Sequence, residues 1–331
     1  MPRFLIIQTA SIGDVILATA LLEKLHHHFP DAALDFMVKK GNEALFGEHP
    51  FINELLVWDK SGNKYQNLWK LLKQVREIRY DRIINLQRFA STGLFTVLSK
   101  ASYTAGFNKN PFSRWFTHQA EHHIPAKDGA HEVARNQALI APFTDNLPAR
   151  PRLYPTASDI KCVEAYSSDR YICVAPASLW LTKQYPASRW VLFIKELPAT
   201  IGVMLLGSGD DKDLCDNIIN ESGKDRCYNL AGKLTLLQSA ALMKGALMNY
   251  VNDSSPMHLA SAMNANITAI FCSTVPQFGF GPLSDNAFIV ETPLSLACRP
   301  CGLHGHRECP ENHFNCATSI DTRQLLSNLA L

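Results

Sequence analysis

Four short stretches of this 331-residue chain combine small, acidic and basic residues that can hold or transfer a charged group, and each follows an apolar run of strand length. One is Asn252-Asp253-Ser254-Ser255-Pro256-Met257-His258, preceded by Ala246-Leu-Met-Asn-Tyr-Val251 and followed by Leu259 and Ala260. Pro256 suits the first turn of a helix, so the stretch reads as a strand-to-helix turn. Its free amides and positive dipole end would face an anion, with Asp253, Ser254, Ser255 and His258 around it. An ordinary Asp or Ser cap with a histidine on the first turn is the plainer reading of those residues alone. Near the start, Ser11-Ile12-Gly13-Asp14 opens another helix. Gly13 lets backbone come close to a ligand, and Asp14 is either a general base or a cap charge. Between Ala175 and Pro186, Ser178, Thr182 and Lys183 suit a phosphate, the lysine as a point charge. In Gly207-Ser208-Gly209-Asp210-Asp211 the two acids sit at a helix start, where they accept ribose hydroxyls or simply cap. This is neither the spaced-glycine dinucleotide fingerprint nor a Walker loop.

The elements that position these stretches follow from periodicity. Strands are expected at about 3–8, 33–38, 54–58, 82–86 and 103–106, and again at 171–175, 202–206, 246–251, 267–271 and 287–290. Helical patterns fall between them, at about 15–28, 42–46, 67–78, up to 99, 130–140, 188–197, 211–219 and 234–244. That alternation implies parallel sheets covered on both faces. Residues 107–127 show no clean period and read as a long loop or short helices. Pro142, Pro148, Pro151 and Pro155 mark a linker. The expected architecture is α/β, with doubly wound lobes over 1–150 and 151–317 and a cleft between them. A terminal helix over 318–331 is expected to return to the first lobe. Ligands of such sheets bind outside the carboxyl ends of the strands, where all four stretches lie.

Hydrophobic residues make up 47% of the chain and charged ones 19%, the balance of a folded globular protein. No apolar run is long enough to span a bilayer, and the start looks like a first strand instead of a secretion signal, so a cytoplasmic location is expected. The net charge of +2 conceals an asymmetry. Residues 1–150 carry 18 basic against 14 acidic side chains, and residues 151–331 carry 14 against 16. A mildly basic first lobe suits an anionic partner, but the charge is too small for nucleic-acid binding. Four of the nine cysteines, Cys298, Cys301, Cys309 and Cys316, crowd into nineteen residues. The Cys-x2-Cys start has zinc-site spacing without a matching second pair, leaving structural zinc, disulfides and free thiols open.

Taken together, three motifs resemble one family. Ala10-Ser-Ile-Gly-Asp-Val-Ile16, the Pro-Ala-Ser…Thr-Lys-Gln-Tyr-Pro segment ending at Pro186 and Asn252-Asp-Ser-Ser-Pro-Met-His-Leu-Ala-Ser-Ala262 are similar in order and spacing to the ADP-heptose:lipopolysaccharide heptosyltransferases, the ninth glycosyltransferase family. The resemblance spans nearly the whole chain. It implies a GT-B fold of two Rossmann-like lobes and an inverting, metal-independent transfer of heptose from ADP-heptose to a hydroxyl of the lipopolysaccharide inner core. It also implies peripheral contact with the membrane, at its inner face, through that acceptor. Asp14 would then be the base and Lys183 would bind donor phosphates beside Ser178 and Thr182. Asp253, Ser254, Ser255 and His258 would form the donor loop, with Asp210 or Asp211 near the nucleoside. Ser11, Gly13, Arg88, Lys109 and Arg114 are placed on the acceptor side. A transferase using another nucleotide sugar, or a two-lobed binding protein without catalysis, are the alternatives.

Overall fold

The computed structural model describes residues 1–124, 129–167 and 169–329. The chain divides into two units, Met1–Tyr154 and Pro155–Leu331, and the division falls in the proline-rich stretch. In the first unit β1 (Arg3–Ile7) leads into α1 (Ile12–His28), followed by β2 (Ala33–Lys39), β3 (Ile52–Trp58), α2 (Lys64–Ile78), β4 (Arg82–Asn85), α3 (Ala90–Leu98), β5 (Tyr103–Phe107), β6 (His118–Ala120) and α4 (Glu132–Gln137). All six strands are parallel, in the order β3-β2-β1-β4-β5-β6. β1 is central and lies between β2 and β4, so Leu5, Ile6 and Ile7 are fully buried. A strand covered on both faces needs such an uninterrupted apolar run.

The second unit repeats the plan with α5 (Ala157–Val163), β7 (Tyr171–Ala175), α6 (Ala187–Glu196), β8 (Gly202–Leu205), α7 (Lys212–Ser222), β9 (Cys227–Asn229), α8 (Leu236–Gly245), β10 (Asn249–Asn252), α9 (Ser255–Ala262), β11 (Ile267–Phe271), β12 (Ala287–Glu291), α10 (Asn315–Thr318) and α11 (Thr322–Leu326). Its parallel order is β12-β11-β10-β7-β8-β9. Numbered from its own first strand, each sheet has the dinucleotide-fold order 3-2-1-4-5-6. The chain reverses direction across the sheet between β1 and β4 in one unit and between β7 and β10 in the other. At such a switch point neighbouring loops diverge and leave a crevice, where ligands bind. The loops after β4, β7 and β10 hold Arg88, Lys183 and Asp253, and Asp14 lies in the first turn of α1, just past the loop after β1.

Several local expectations are corrected. Residues 42–46 form one short 3-10 turn, Glu43–Leu45, not a helix. α2 starts at Lys64, before the apolar period begins, because Asn63 Oδ1 accepts the Gln66 N–H at 3.1 Å and caps the helix early. The region 107–127 contains the edge strand β6, paired in parallel with β5; residues 125–127 of it lie outside the described residues. The described part of the expected terminal helix, residues 318–329, belongs to the second unit, and residues 330–331 lie outside the described ones. Leu325 and Leu329 join the core around Trp190, Phe193 and Tyr250, and Thr322 Oγ1 bonds Glu196 of α6 at 3.0 Å. Among the described residues no helix is long and apolar enough to cross a membrane.

Candidate functional site

In the first unit the β1–α1 turn is closed by a reciprocal cap. Ser11 Oγ donates to Asp14 Oδ2 at 2.6 Å and Ser11 N donates to the same oxygen at 3.2 Å. Both bonds fall on Oδ2, and Oδ1 takes no hydrogen bond from the described residues. The carboxyl group is therefore oriented without being saturated, as a general base requires. Burial raises the pKa of Asp14 and the charge of Glu132 adds to the rise; the Ser11 bonds and the Arg88 charge oppose it without cancelling it. Glu132 opens α4 and is buried, bonded to His122 Nε2 at 3.1 Å and Arg135 Nε at 2.7 Å. His122 is thus part of this buried network. Gly13 is buried beneath the turn, and Arg88 is exposed in the loop after β4. Lys109 and Arg114 are exposed in the segment after β5, one strand further from the switch point; Arg114 stacks over Trp115 at 3.9 Å.

In the second unit the loops after β7 and β10 meet. Lys183 Nζ lies 2.7 Å from Asp253 Oδ2, both side chains almost covered, and Thr274 Oγ1 donates to the same oxygen at 2.6 Å. Asn252 joins the loops by donating to Pro176 O at 2.8 Å and accepting from Tyr185 N at 2.9 Å. Asp253 leads into α9, whose N-cap Ser254 makes no side-chain capping bond, unlike the capping boxes that close α1 and α8. An ammonium thus stands beside a helix start without a side-chain cap, which is a suitable pair for a diphosphate. Ser255 is the first residue of α9 and His258 is buried on its first turn. Ser178 sits on the loop after β7, where its carbonyl accepts from Gln184 Nε2 at 2.6 Å. After β8, Asp211 bonds Ser208 N and Oγ at 2.7 Å each, so it serves as a cap, whereas Asp210 is exposed.

Thr182 is buried with its hydroxyl engaged by the protein: it accepts from His306 N at 2.7 Å and from Ser273 Oγ at 3.1 Å. The segment around Cys301 to His306 thereby braces the Lys183 loop, a role that nothing in the local sequence signals. Arg299 anchors the same segment through the carbonyls of Phe271, Cys272 and Thr274. Gly305 has φ +73, and a Cβ there would come within 2.8 Å of Thr182 Oγ1 and 3.1 Å of Lys183 Cγ. Gly305→Ala is expected to lower ADP affinity severalfold. Gly302→Ala, with φ +67 but open space around its Cβ, carries the same left-handed backbone cost of about 1–2 kcal/mol without touching Lys183. Thermal melts and calorimetry on the two variants separate local strain from displacement of the lysine.

The four clustered cysteines lie near one another, close enough for their thiols to interact. Cys298 Sγ lies 3.9 Å from His313 Nε2, and Cys301 Sγ donates to the Cys298 carbonyl. Burial, with neighbouring thiols, pushes Cys316 up to about 11. Among the described residues no three His, Cys, Asp or Glu side chains converge to hold a metal ion, and the cysteines are free thiols. Metal analysis of the purified protein tests the expected zinc directly.

Two doubly wound units of this strand order are those of the GT-B fold. Residues 68–313 match the family model described as glycosyltransferase family 9 (heptosyltransferase). The chain belongs to this family and is a glycosyltransferase. It is 26% identical over 287 residues to lipopolysaccharide heptosyltransferase 3 of Escherichia coli, covering 83% of this chain and 84% of that one. The solved structure of E. coli ADP-heptose lps heptosyltransferase II has a TM-score of 0.79 at 22% identity, over 99% of this chain and 97% of that one. A family 9 glycosyl transferase from Veillonella parvula reaches 0.85 at 20% identity, over 99% and 96%. Asp14 lies upstream of the matched stretch.

Proposed function

We propose that the protein transfers heptose from ADP-heptose to a hydroxyl of the lipopolysaccharide inner core, with inversion at the anomeric carbon and without a catalytic metal. The observation that carries this reading is the family match across residues 68–313, and the chemistry of each unit supports it. In the first unit Asp14 Oδ1 takes the proton of the acceptor hydroxyl as its oxygen attacks the anomeric carbon. Ser11 and Gly13 shape that turn, and Arg88, Lys109 and Arg114 supply positive charge for an anionic acceptor. In the second unit the bond from the anomeric carbon to the diphosphate breaks, and negative charge develops on the departing ADP. Lys183 and the first-turn amides of α9 stabilise that charge, with Ser178, Ser254, Ser255 and His258 around it. Asp253 holds the lysine in place, and Asp210 is the free acid available to a ribose hydroxyl. Thr182 acts by bracing the loop.

Mass spectrometry and NMR of products test this, after incubation with ADP-heptose, other nucleotide sugars and a truncated core acceptor, with and without EDTA. The expected result is heptose addition from ADP-heptose alone, with inverted anomeric configuration and unchanged rate in EDTA. Transfer from another nucleotide sugar would replace the donor. ADP binding without any product would make the protein a binder instead of an enzyme.

A further inference from the structure

Between α2 and α3 the first unit contains a cavity of about 680 Å³, within the range of roughly 300–1,000 Å³ typical of small-ligand pockets. Its walls are the aligned faces Leu68 and Leu72 of α2 and Leu94, Phe95 and Leu98 of α3, with Trp58 at the end of β3. At the mouth Trp69 is 50% exposed and Leu94 42%, an uncovered apolar rim continuous with the buried wall. Lys60 and Lys64 also line it. Lys60 Nζ is fixed by Thr9 O at 2.7 Å and lies 4.6 Å from the Trp58 ring centroid, and no carboxylate pairs with it among the described residues. With Lys64 beside it and no acid paired to Lys60 among the described residues, the mouth presents two cationic side chains, although burial and the charges of Lys39 and Lys64 lower the Lys60 pKa.

A sugar is a poor occupant. Of the four hydroxyls that line the cavity, that of Thr9 accepts from Lys60 at 3.2 Å and that of Thr92 donates to Phe89 O at 3.1 Å, which leaves those of Tyr65 and Ser91. A buried sugar would be left with several unpaired hydroxyls, each a desolvation penalty. An alkyl chain requires no such partners, and an anionic head group beside it would meet the two lysines.

We propose that this cavity binds one alkyl chain of an anionic amphiphile, with the head group at Lys60 and Lys64. Resting on the acceptor reading above, the chain is an acyl chain of the lipid end of the acceptor. The cavity opens beside Thr9, directly after β1, on the same strand-end edge as Asp14.

The test is calorimetry and tryptophan fluorescence on the full chain with octyl, decyl and dodecyl phosphate, each kept below its micelle concentration. Affinity is expected to rise by up to about fourfold per added methylene, as burial of that group from water predicts. Leu94→Glu, at an exposed position, is expected to weaken dodecyl phosphate binding by at least about tenfold, because it places a charge against an apolar wall. Should Leu94→Glu not fold, Lys60→Gln with Lys64→Gln is expected to weaken dodecyl phosphate binding without changing that of dodecanol. Absence of a chain-length dependence, or unchanged binding in these variants, overturns the proposal. So does binding to phosphatidylglycerol vesicles without binding to the monomeric amphiphile, which would make the rim a bilayer contact. Binding is read without turnover, so failure here leaves heptose transfer standing. If both hold, Leu94→Glu raises KM for an acylated acceptor and not for a delipidated one.

Discussion

Asp14→Asn is expected to lower turnover by roughly 100-fold to 10,000-fold, the range for loss of a general base, while ADP affinity stays the same. The substitution keeps the shape of the turn and the acceptor oxygen for Ser11, and removes only the basic carboxylate. In the wild type, kcat/KM is expected to fall as pH drops through the Asp14 pKa, which lies above its ordinary value near 3.8 because of burial and the Glu132 charge. The linkage has a definite sign. A folded-state pKa above the unfolded one means the native protein binds more protons between the two values. The stability this group contributes is therefore complete below the ordinary value and lost as pH rises through the raised one. At neutral pH the ionised carboxylate is a net cost, so Asp14→Asn is expected to melt no lower than wild type. If Asp14 were only a cap charge, the variant would melt lower and turn over normally, because a carboxylate in the first turn stabilises a helix. Melting curves and steady-state rates on one variant distinguish the two.

Lys183→Ala is expected to weaken ADP binding by roughly 10-fold to 100-fold, the value of a charge-assisted hydrogen bond to phosphate. Part of that loss comes from Asp253. With its ammonium removed, the covered carboxylate 2.7 Å from the former Nζ position faces an incoming anion with only Thr274 to hold it. Lys183→Ala with Asp253→Asn should therefore recover part of the affinity lost by the single variant, and a double-mutant cycle by calorimetry measures the coupling. Equal ADP affinity in wild type and Lys183→Ala would remove the lysine from the donor site. Additive losses would mean that Asp253 acts on the donor directly and not through the lysine.

Much of this was legible in the sequence because it is local. Alternating apolar runs and helical periods specify parallel strands and their crossovers, and a right-handed chain leaves few ways to order them. Ser11 with Asp14, and Ser208 with Asp211, are caps three residues apart, so turn and cap can be read together. What three-residue spacing cannot tell is which acid remains available. Asp14 and Asp211 both sit in capping boxes, yet the burial and the Glu132 charge that raise the Asp14 pKa belong to its tertiary setting.

The rest depended on residues far apart in the chain. The short strands β6 and β9 escaped notice because three residues carry no period, and only pairing with β5 and β8 defines them. Thr182 had the residue type for a phosphate, but the backbone of His306, 124 residues away, claims its hydroxyl. By itself the sequence determined the two doubly wound units, the strand-end loops and the family, because these rest on periodicity, turn chemistry and motif order. Only the tertiary structure decided which side chains in those loops are free for chemistry, and it alone formed the cavity between α2 and α3. Availability and shape depend on what packs against a residue, and local residue order does not encode that.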